Sequence, residues 1–416
     1  MDYDVVVVGG GAAGFFAAIQ AAEAAPGLRI AILEKTGKLL QKVKISGGGR
    51  CNVTHACFSI ADMAKRYPRG QAFLKKAFHE FFTTNTVAWF AARGVPLHTE
   101  ADGRMFPTTN SSQTIINCLQ SAVQRAGIKV LLHHGVAHFA PQQQGWQLHT
   151  TAATVLTTHT LCIASGGFPS LHQFQWLTQS TQHTIAPPVP SLFTFNLPGH
   201  PICALMGVVA PQAQVKIAGF DATTSGALLI THWGLSGPAV LRLSAFAARW
   251  LAQQQYSYTA IVNWIPSFNQ TSLRQHIIQQ RQAHGNLKVI NTTWFGLPQR
   301  LWCFLVAQAG IAEATRWADL PAPQQNKLIQ NLCHYELHAQ GKTTYKDEFV
   351  TAGGIALAEV DAHTMQSRLH PNLFFAGEIL DVDGITGGYN FQNAWTTGFI
   401  AGRSAALACS KPSVSA

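Results

Sequence analysis

Apolar and polar positions at the start of the chain follow first the spacing of a strand and then that of a helix. Residues 3–8 predict a buried parallel strand, residues 9–14 a tight turn, and residues 15–25, which are rich in small side chains, a helix that packs closely on a sheet. Residues 28–33 predict a second strand that ends at Glu34. The pattern therefore predicts one complete βαβ unit at the N-terminus.

Further along the chain, the same spacings predict more helices and strands. Residues 71–93 and 114–126 have helical spacing, and residues 129–133 and 161–164 have the pattern of short strands. Four prolines between residues 187 and 198 indicate a crossing between domains near residue 188. After it come strand patterns at 226–230 and 258–264, and then a Gln-rich stretch at 270–338 that is mostly helical in spacing.

These elements predict an α/β fold with a Rossmann-like domain of the GxGxxG type that an inserted domain splits in two. We expect the first part at residues 1–188 and the second part at 345–409, followed by a tail at 410–416. The insertion covers residues 189–344, with a β part at about 189–265 and a helical part at about 266–344.

The first motif with chemical meaning is Gly9-x-Gly11-x-x-Gly14, placed between the first strand and the first helix. Glycines at this spacing permit a tight turn, a close approach of backbone N–H groups to a pyrophosphate, and contact between helix and strand. Glu34 lies twenty residues beyond Gly14, where its carboxylate accepts hydrogen bonds from both hydroxyls of an adenosine ribose and disfavours a 2′-phosphate. The motif predicts dinucleotide binding.

A second glycine-rich segment, NLFFAGEILDVDGITGGYN at residues 372–390, distinguishes FAD from NAD. We expect a strand that ends near Gly377 to bring the carboxylate of Glu378 to the ribityl or pyrophosphate part of the flavin. Gly387 and Gly388 then begin a helix whose N-terminus stabilises negative charge on the N1/O2 edge of a reduced flavin. An NAD-binding domain has no need of this segment, so it predicts FAD.

A third segment, KISGGGRCN at residues 44–52, has three glycines that allow backbone to approach a flat ligand. Its Cys51 is either a proton donor to substrate carbon or a small buried side chain. His232, in a glycine-rich turn of the insertion, is either a substrate contact or a buried structural histidine. The residues predicted to hold the cofactor are Gly9, Gly11, Ala12, Ala13, Gly14, Glu34, Lys35, Gly48, Gly49, Arg50, Gly377, Glu378, Asp383, Gly387, Gly388, Tyr389 and Asn390.

Composition supports a large globular enzyme. The 416 residues are 47% hydrophobic and 12% charged, which excludes a disordered or coiled-coil chain. Because no apolar stretch is long enough to span a bilayer, we expect a cytoplasmic protein with no membrane partner. The eight cysteines are scattered and the histidines form no ligand array, so we expect neither a disulfide framework nor a metal site.

The net charge of +10 is concentrated in one window. Residues 34–76 carry ten basic and two acidic side chains, so that 10 − 2 = +8 of formal charge lies there. Such a window is typical of a protein that neutralises phosphates, and the alternative is an ordinary solvated basic surface.

Three motifs together, KISGGGRCN, THWGLSGPAVLRLS and FFAGEILDVDGITGGYNFQNAWTTGFIAG, resemble the BaiN/RdsA-type flavoprotein family over essentially the whole chain. The resemblance implies a Rossmann-like FAD domain split by a β-barrel-like and helical insertion. It also implies one of several activities: reduction of a uridine of 23S ribosomal RNA to dihydrouridine, reduction of steroid-like enones, or oxidation of amines. The basic window favours the ribosomal RNA substrate.

For that reaction we expect NAD(P)H to reduce FAD at a transient site, since a second GxGxxG motif is absent from the sequence. The target base leaves its stack, hydride from reduced flavin adds to C6, and a proton, from Cys51 in our interpretation, adds to C5. Two alternatives stay open: a flavoenzyme for a small-molecule enone or amine, and a non-catalytic RNA-binding flavoprotein.

Overall fold

The computed structural model of this chain describes residues 1–292, 294–343 and 350–409. These residues form two compact units, one from the described parts of Met1–Pro190 and Tyr345–Ala416 and the other from those of Ser191–Thr344. The second unit is thus an insertion in the sequence of the first. The expected tail at 410–416 and the expected return to the first domain at 345 lie outside the described residues.

The strands of the described residues follow one another along both units. In chain order they are β1 (Tyr3–Val8), β2 (Ile30–Leu33), β3 (Thr54–His55), β4 (Leu97–Thr99), β5 (Arg104–Pro107), β6 (Lys129–Leu131), β7 (Val136–Gln142), β8 (Gly145–Thr150), β9 (Val155–Ile163), β10 (Ile185–Ser191), β11 (Thr194–Asn196), β12 (Val209–Ile217), β13 (Thr223–Ile230), β14 (Gly234–Ser236), β15 (Ser257–Asn263), β16 (Tyr335–Gln340), β17 (Lys342–Thr343), β18 (Val350–Ile355) and β19 (Leu373–Phe375).

The α-helices of the described residues occur in both units. They are α1 (Ala12–Ala24), α2 (Gln41–Gly49), α3 (Ile60–Ala64), α4 (Gln71–Ala77), α5 (Thr83–Ala91), α6 (Ser112–Arg125), α7 (Gln175–Thr181), α8 (Pro238–Gln253), α9 (Gln270–His284), α10 (Gln299–Gln308), α11 (Ala322–Cys333) and α12 (Tyr389–Cys409). None of them is long and apolar enough to cross a membrane.

The main sheet of the first unit has the strand order β6-β2-β1-β9-β8-β7, and β19 also pairs with β9. The pairs β1–β2, β1–β9, β2–β6 and β9–β19 are parallel, whereas β7 and β8 form an antiparallel hairpin that continues to β9. Since the carboxyl ends of parallel strands meet at one edge, the residues after β1, β2, β9 and β19 all lie at that edge. A site at this edge receives segments from both ends of the chain.

Helices α1 and α12 pack against each other through small residues. A Cβ atom on Gly402 would lie 2.0 Å from the backbone oxygen of Ala17, and one on Gly398 would lie 2.8 Å from that of Ala13. Glycine is required at Gly402 because any larger residue would push the two helix backbones apart. This packing fixes the start of α12 beside the start of α1.

The second unit is built on a sheet of strand order β16-β15-β12-β13-β14-β11-β17. Its two ends, β16 and β17, are separated in the chain by Gly341 alone, so the path of the sheet curls back toward its start. Helix α8 lies between β14 and β15 in the chain, and α9 to α11 lie between β15 and β16. The core holds large side chains such as Trp264, Trp302 and Leu328, all at most 2% exposed. Strands β16 and β17 lie within the expected helical part at 266–344 and return to the sheet after its helices, and the division of the insertion into a β part and a helical part stays a prediction.

The α/β fold class is confirmed, and three elements differ in extent from the sequence prediction. The helical pattern of residues 71–93 is two helices, α4 and α5, because the N–H of Phe82 donates to Asn85 Oδ1 (2.9 Å) and begins a new helix. Helix α1 begins at Ala12 rather than at residue 15, directly after Gly11. Strand β9 begins at Val155, because its Thr and His positions alternate with apolar ones along an antiparallel partner.

Candidate functional site

The GxGxxG turn lies at the carboxyl end of β1, where its glycines have different roles. Gly9 has φ +119°, and a Cβ on it would lie 2.3 Å from the backbone oxygen of Ala164. A Cβ on Gly14 would lie 2.0 Å from the oxygen of Gly9. A Cβ on Gly11, by contrast, would meet nothing within 4 Å among the described residues, so Gly11 borders open space together with Ala12 at the start of α1.

Glu34 follows β2 and turns its carboxylate toward this glycine turn. Its Oε2 accepts a hydrogen bond from the N–H of Gly10 (2.9 Å), and its Oε1 accepts bonds from the N–H and the hydroxyl of Thr36 (2.8 Å each). The next residue, Lys35, is exposed, and its ammonium lies 5.7 Å from the ring centroid of Phe168. Glu34 thus lies beside the glycine turn, and its contact with a ribose stays a prediction.

The third glycine-rich segment joins the turn through α2. The N–H of Leu40 donates to the oxygen of Gly10 (2.9 Å), so α2 begins beside the turn. Helix α2 is kinked at residues 46–48, and a Cβ on Gly48 or Gly49 would meet nothing within 4 Å in the described structure. Arg50 packs its guanidinium 4.0 Å from the ring centroid of Phe106 and pairs with Glu100 (2.6 Å).

Cys51 lies at the end of this segment but is fully buried. Burial raises the pKa of its thiol to about 12, so the thiol keeps its proton at neutral pH. In the described conformation its Sγ has no surface through which to meet a substrate. The position thus favours the buried-side-chain interpretation, and the proton-donor role stays a prediction that needs this segment to open.

The C-terminal glycine-rich segment completes the arrangement. A Cβ on Gly377 would lie 2.8 Å from the Cβ of Ala13, and the N–H of Gly377 donates to Thr397 Oγ1 (2.9 Å). Asn52, with its amide oriented to satisfy both neighbours, accepts from the N–H of Gly388 and donates to the oxygen of Thr54 (2.9 Å each). Three glycine-rich segments from opposite ends of the chain therefore meet at one edge of the sheet.

Several polar residues of the C-terminal segment are engaged within the protein. Glu378 forms an ion pair with Lys42 of α2. Asn390 accepts from the N–H of Gly384 (2.8 Å) and donates to its oxygen (3.0 Å), which folds the loop before α12. These side chains hold the segment in place, and their contact with a cofactor stays a prediction.

Asp383 is buried in an ion pair that the sequence did not reveal. Both of its carboxylate oxygens accept hydrogen bonds from the guanidinium of Arg69, and the two side chains are 0% and 9% exposed. Arg69 is therefore not one of the free cations of the basic window. The pair ties the loop after β19 to the segment between α3 and α4.

His55 is a site residue that sequence reasoning missed. Its Nδ1–H donates to the oxygen of Gly387 (3.0 Å), and its ring stacks on Tyr389 with centroids 4.7 Å apart. The hydroxyl of Tyr67 donates to the oxygen of Tyr389 (2.7 Å). Only its place three residues after the KISGGGRCN segment pointed to His55, because its partners lie more than 300 residues away in the chain.

A buried polar network was missed as well. The amide oxygen of Gln392 accepts from the hydroxyls of Thr54 (2.6 Å) and Thr86 (3.0 Å), and its nitrogen donates to Thr396 (3.1 Å). Trp395 donates to the oxygen of Val53 (2.9 Å). These bonds fix β3 against the first turns of α12.

The donor set of the edge fits a dinucleotide with a flavin end. Beside open positions at Gly11, Gly48 and Gly49, two buried polar groups have no hydrogen-bond partner among the described residues: Ser165 Oγ, which follows β9, and the side-chain amide of Asn393 in α12. Buried polar groups are usually satisfied in proteins, so these two groups are available to form hydrogen bonds with a polar ligand. The residues present therefore fit FAD.

His232 lies elsewhere, in the second unit. Its ring is 3.7 Å from that of Trp233, and both border an open cavity of about 520 Å³. The other lining residues are Asn196, Leu197, Pro198, Gly199, His200, Pro201, Cys203 and Ala204. In the part of the chain that the structure describes, His, Cys, Asp and Glu form no group of three able to hold a metal ion.

Comparison with known proteins adds a family and several relatives. The family model described as "HI0933-like protein Rossmann domain" matches residues 3–404. A protein of Escherichia coli named ribosomal RNA dihydrouridine synthase is 30% identical over 95% of this chain and 96% of its own length. A protein of Clostridium scindens named 3-dehydro-bile acid delta(4,6)-reductase is 26% identical over 96% of this chain and 98% of its own.

Among solved structures, an Escherichia coli quinol fumarate reductase chain has a similar fold. It has a TM-score of 0.50 at 14% identity and covers 98% of this chain and 70% of its own. At that identity the likeness concerns the fold alone.

Proposed function

The chain belongs to the HI0933-like Rossmann-domain family and is an FAD-dependent oxidoreductase, and from this premise we propose that it reduces a uridine of 23S ribosomal RNA to dihydrouridine. One observation carries the proposal: three glycine-rich segments meet around open, unsatisfied space at the edge of the sheet, in a chain 30% identical to a ribosomal RNA dihydrouridine synthase. The overall reaction takes uridine, NAD(P)H and a proton to dihydrouridine and NAD(P)⁺.

The residues that hold the cofactor in this proposal come from all three segments. The backbone at Gly11 and Ala12 faces the pyrophosphate, Glu34 accepts the ribose hydroxyls, and the first turn of α12 after Gly388 faces the flavin. When bound, FAD supplies the hydride that reduces C6 of the base. Glu378, Asp383 and Asn390 hold the surrounding segments in place.

A proton must also reach C5 of the base, and Cys51 is the residue that we proposed from sequence. Its raised pKa leaves the thiol protonated, as a donor must be, but its burial opposes the role. We expect Cys51→Ala to retain FAD, with Cys51→Ser as the matched control. Turnover that falls in both variants supports a donor, whereas unchanged turnover removes Cys51 from the reaction.

The exposed basic window supports RNA as the substrate. Eight of the ten basic side chains between residues 34 and 76 are exposed; the exceptions are the half-buried Arg50 and the buried Arg69. Eight exposed cations in one window suit a polyphosphate partner. Because a bile-acid reductase is among the relatives, reduction of a small-molecule enone is the second candidate function. Binding of such a substrate does not require a basic window. A non-catalytic RNA-binding flavoprotein is the third.

The three candidates separate in one assay with purified protein reconstituted with FAD. Unmodified 23S ribosomal RNA transcript and a 3-dehydro-bile acid are each incubated with NADH or NADPH, and products are measured by mass spectrometry. Dihydrouridine in the transcript alone supports the proposal. Reduction of the bile acid alone supports the second candidate, and RNA binding without either product supports the third.

A further inference from the structure

The loop between β3 and α3 carries the most exposed large hydrophobic side chain of the described residues. Phe58 is 61% exposed, more than any other large hydrophobic residue there. Single exposed hydrophobic residues are common, so the exposure of Phe58 matters only through its surroundings.

Those surroundings include the edge at which the glycine-rich segments meet. Phe58 follows His55 by three residues, a distance of at most about 10 Å along an extended chain. His55 itself donates to Gly387 and stacks on Tyr389, and Thr54 donates to Gln392. Phe58 therefore lies within about 10 Å, along the chain, of a residue that contacts the C-terminal glycine-rich segment, and it belongs to the same unit.

Exposed cations follow the short helix α3 in the chain, whereas Phe58 precedes it. Lys65 and Arg66 are both exposed, and the backbone oxygen of Arg66 accepts from the N–H of Ile385 in the C-terminal glycine-rich segment (3.0 Å). Lys75 and Lys76 are exposed in the last turn of α4. The exposed charged side chains of residues 56–76 are thus four basic ones and a single acidic one, Asp62, which pairs with Lys65.

An exposed aromatic ring flanked by cations is the arrangement with which proteins bind single-stranded nucleic acid. The ring stacks on an unpaired base whatever its identity, and the cations contact the phosphates on either side. A duplex presents no unstacked base to such a ring. A base that is to be reduced must itself leave its stack, and this costs least where the strand is already single.

We propose that Phe58, Lys65 and Arg66 form a docking surface for the single-stranded RNA that flanks the target uridine. Phe58 stacks on an unpaired base next to the target, and Lys65 and Arg66 contact its phosphates. This surface deepens the proposed function and rests on it, since it assumes an RNA substrate.

The test measures RNA binding by fluorescence anisotropy, with a labelled single-stranded 12-mer oligoribonucleotide containing uridines and the same strand in a duplex. Phe58→Ala is compared with Phe58→Trp, which restores a ring, and with Phe246→Ala, which removes an aromatic ring 39% exposed on α8 of the second unit. Retained FAD absorbance confirms that each variant is folded.

For the single strand we expect Phe58→Ala to raise Kd about 10-fold, Phe58→Trp to restore it, and Phe246→Ala to leave it unchanged. Lys65→Gln with Arg66→Gln is expected to reduce the slope of log Kd against log salt by about 1.4, compared with Arg125→Gln and Lys129→Gln as a charge-matched control. Equal Kd for wild type and Phe58→Ala, or an equal loss in Phe246→Ala, overturns the docking surface.

Product formation separates this inference from the proposed function. If the wild-type protein binds the strand through Phe58 but forms no dihydrouridine in the 23S transcript, the docking surface stands and the proposed reaction fails. If it forms dihydrouridine and Phe58→Ala binds and reacts like wild type, the reaction stands and the docking surface fails.

Discussion

In the first unit, segments 332 to 342 residues apart are joined by side-chain hydrogen bonds, whereas the second unit closes around an apolar core. His55 reaches Gly387, and Trp395 reaches Val53, across most of the chain. The second unit instead buries Trp264, Trp302 and Leu328. The first unit depends on hydrogen-bond geometry and on close contact between backbones, and the second depends on filling the volume of its apolar core. Mutations should therefore affect the two units differently.

We expect the largest loss of FAD binding and stability where a new side chain would collide with the backbone. In Gly14→Val, the new Cβ meets the oxygen of Gly9 at 2.0 Å, so the turn cannot form and both FAD binding and the melting temperature should collapse. In Gly11→Ala, the Cβ meets only open space among the described residues, so the fold should persist while FAD affinity falls. Absorbance near 450 nm and thermal unfolding measure both. Full FAD affinity in Gly11→Ala would contradict the placement of the pyrophosphate.

The next effect tests the buried ion pair. Asp383→Ala leaves the guanidinium of Arg69 buried without this counter-charge, and the free energy of unfolding should fall by about 3–5 kcal/mol. Lys42→Gln breaks the pair with Glu378, in which the Lys42 side chain is largely exposed, and should cost less than about 1 kcal/mol. Urea unfolding distinguishes the two. Similar costs would show that burial does not set the strength of these pairs.

A substitution that creates a cavity in the core of the second unit tests the same comparison in that unit. Leu328 is fully buried, so Leu328→Ala should lower the free energy of unfolding by about 2–5 kcal/mol. Because its contacts are apolar and lie in the second unit, the folded variant should bind FAD as wild type does. Calorimetry gives the first quantity and FAD titration the second; a large loss of FAD affinity would contradict the separation of the two regions.

The smallest effect concerns pH. Burial lowers the pKa of His183 in the first unit to about 4, whereas an unfolded histidine titrates near 6.5. Between these values the unfolded chain binds more protons, so stability falls as pH decreases from 6.5 toward 4, by about 1–2 kcal/mol at pH 5. Melting temperatures of wild type and His183→Asn at pH 7 and 5 check this. An equal loss in the variant would assign the pH dependence to other groups.

The same contrast explains what the sequence could predict. Gly9, Gly14 and Glu34 were predictable because a tight turn and a strand-end carboxylate impose residue types at fixed spacing. The Arg69–Asp383 pair and the bond from His55 to Gly387 were not, because each joins residues more than 300 positions apart that no local pattern connects. In the second unit, periodicity predicted strands and helices, and a glycine-rich turn pointed to His232, whose contact with a substrate stays a prediction.

Local hydrogen bonds and turns account for two features that sequence periodicity did not predict. The helical spacing of residues 71–93 continues through Phe82, but the bond from its N–H to Asn85 begins a new helix there. Cys51 has φ +62° and a buried side chain. This conformation follows the glycine turn before Cys51, and residue spacing alone does not predict it.

The most direct test of the central claim is dihydrouridine in ribosomal RNA. Ribosomal RNA from a strain that lacks this protein and from its parent would be digested to nucleosides, and dihydrouridine would be quantified by mass spectrometry. We expect dihydrouridine to be lost in the deletion strain and restored by the wild-type gene but not by the Gly14→Val variant. Unchanged dihydrouridine in the deletion strain would contradict the account and direct attention to small-molecule enones and amines.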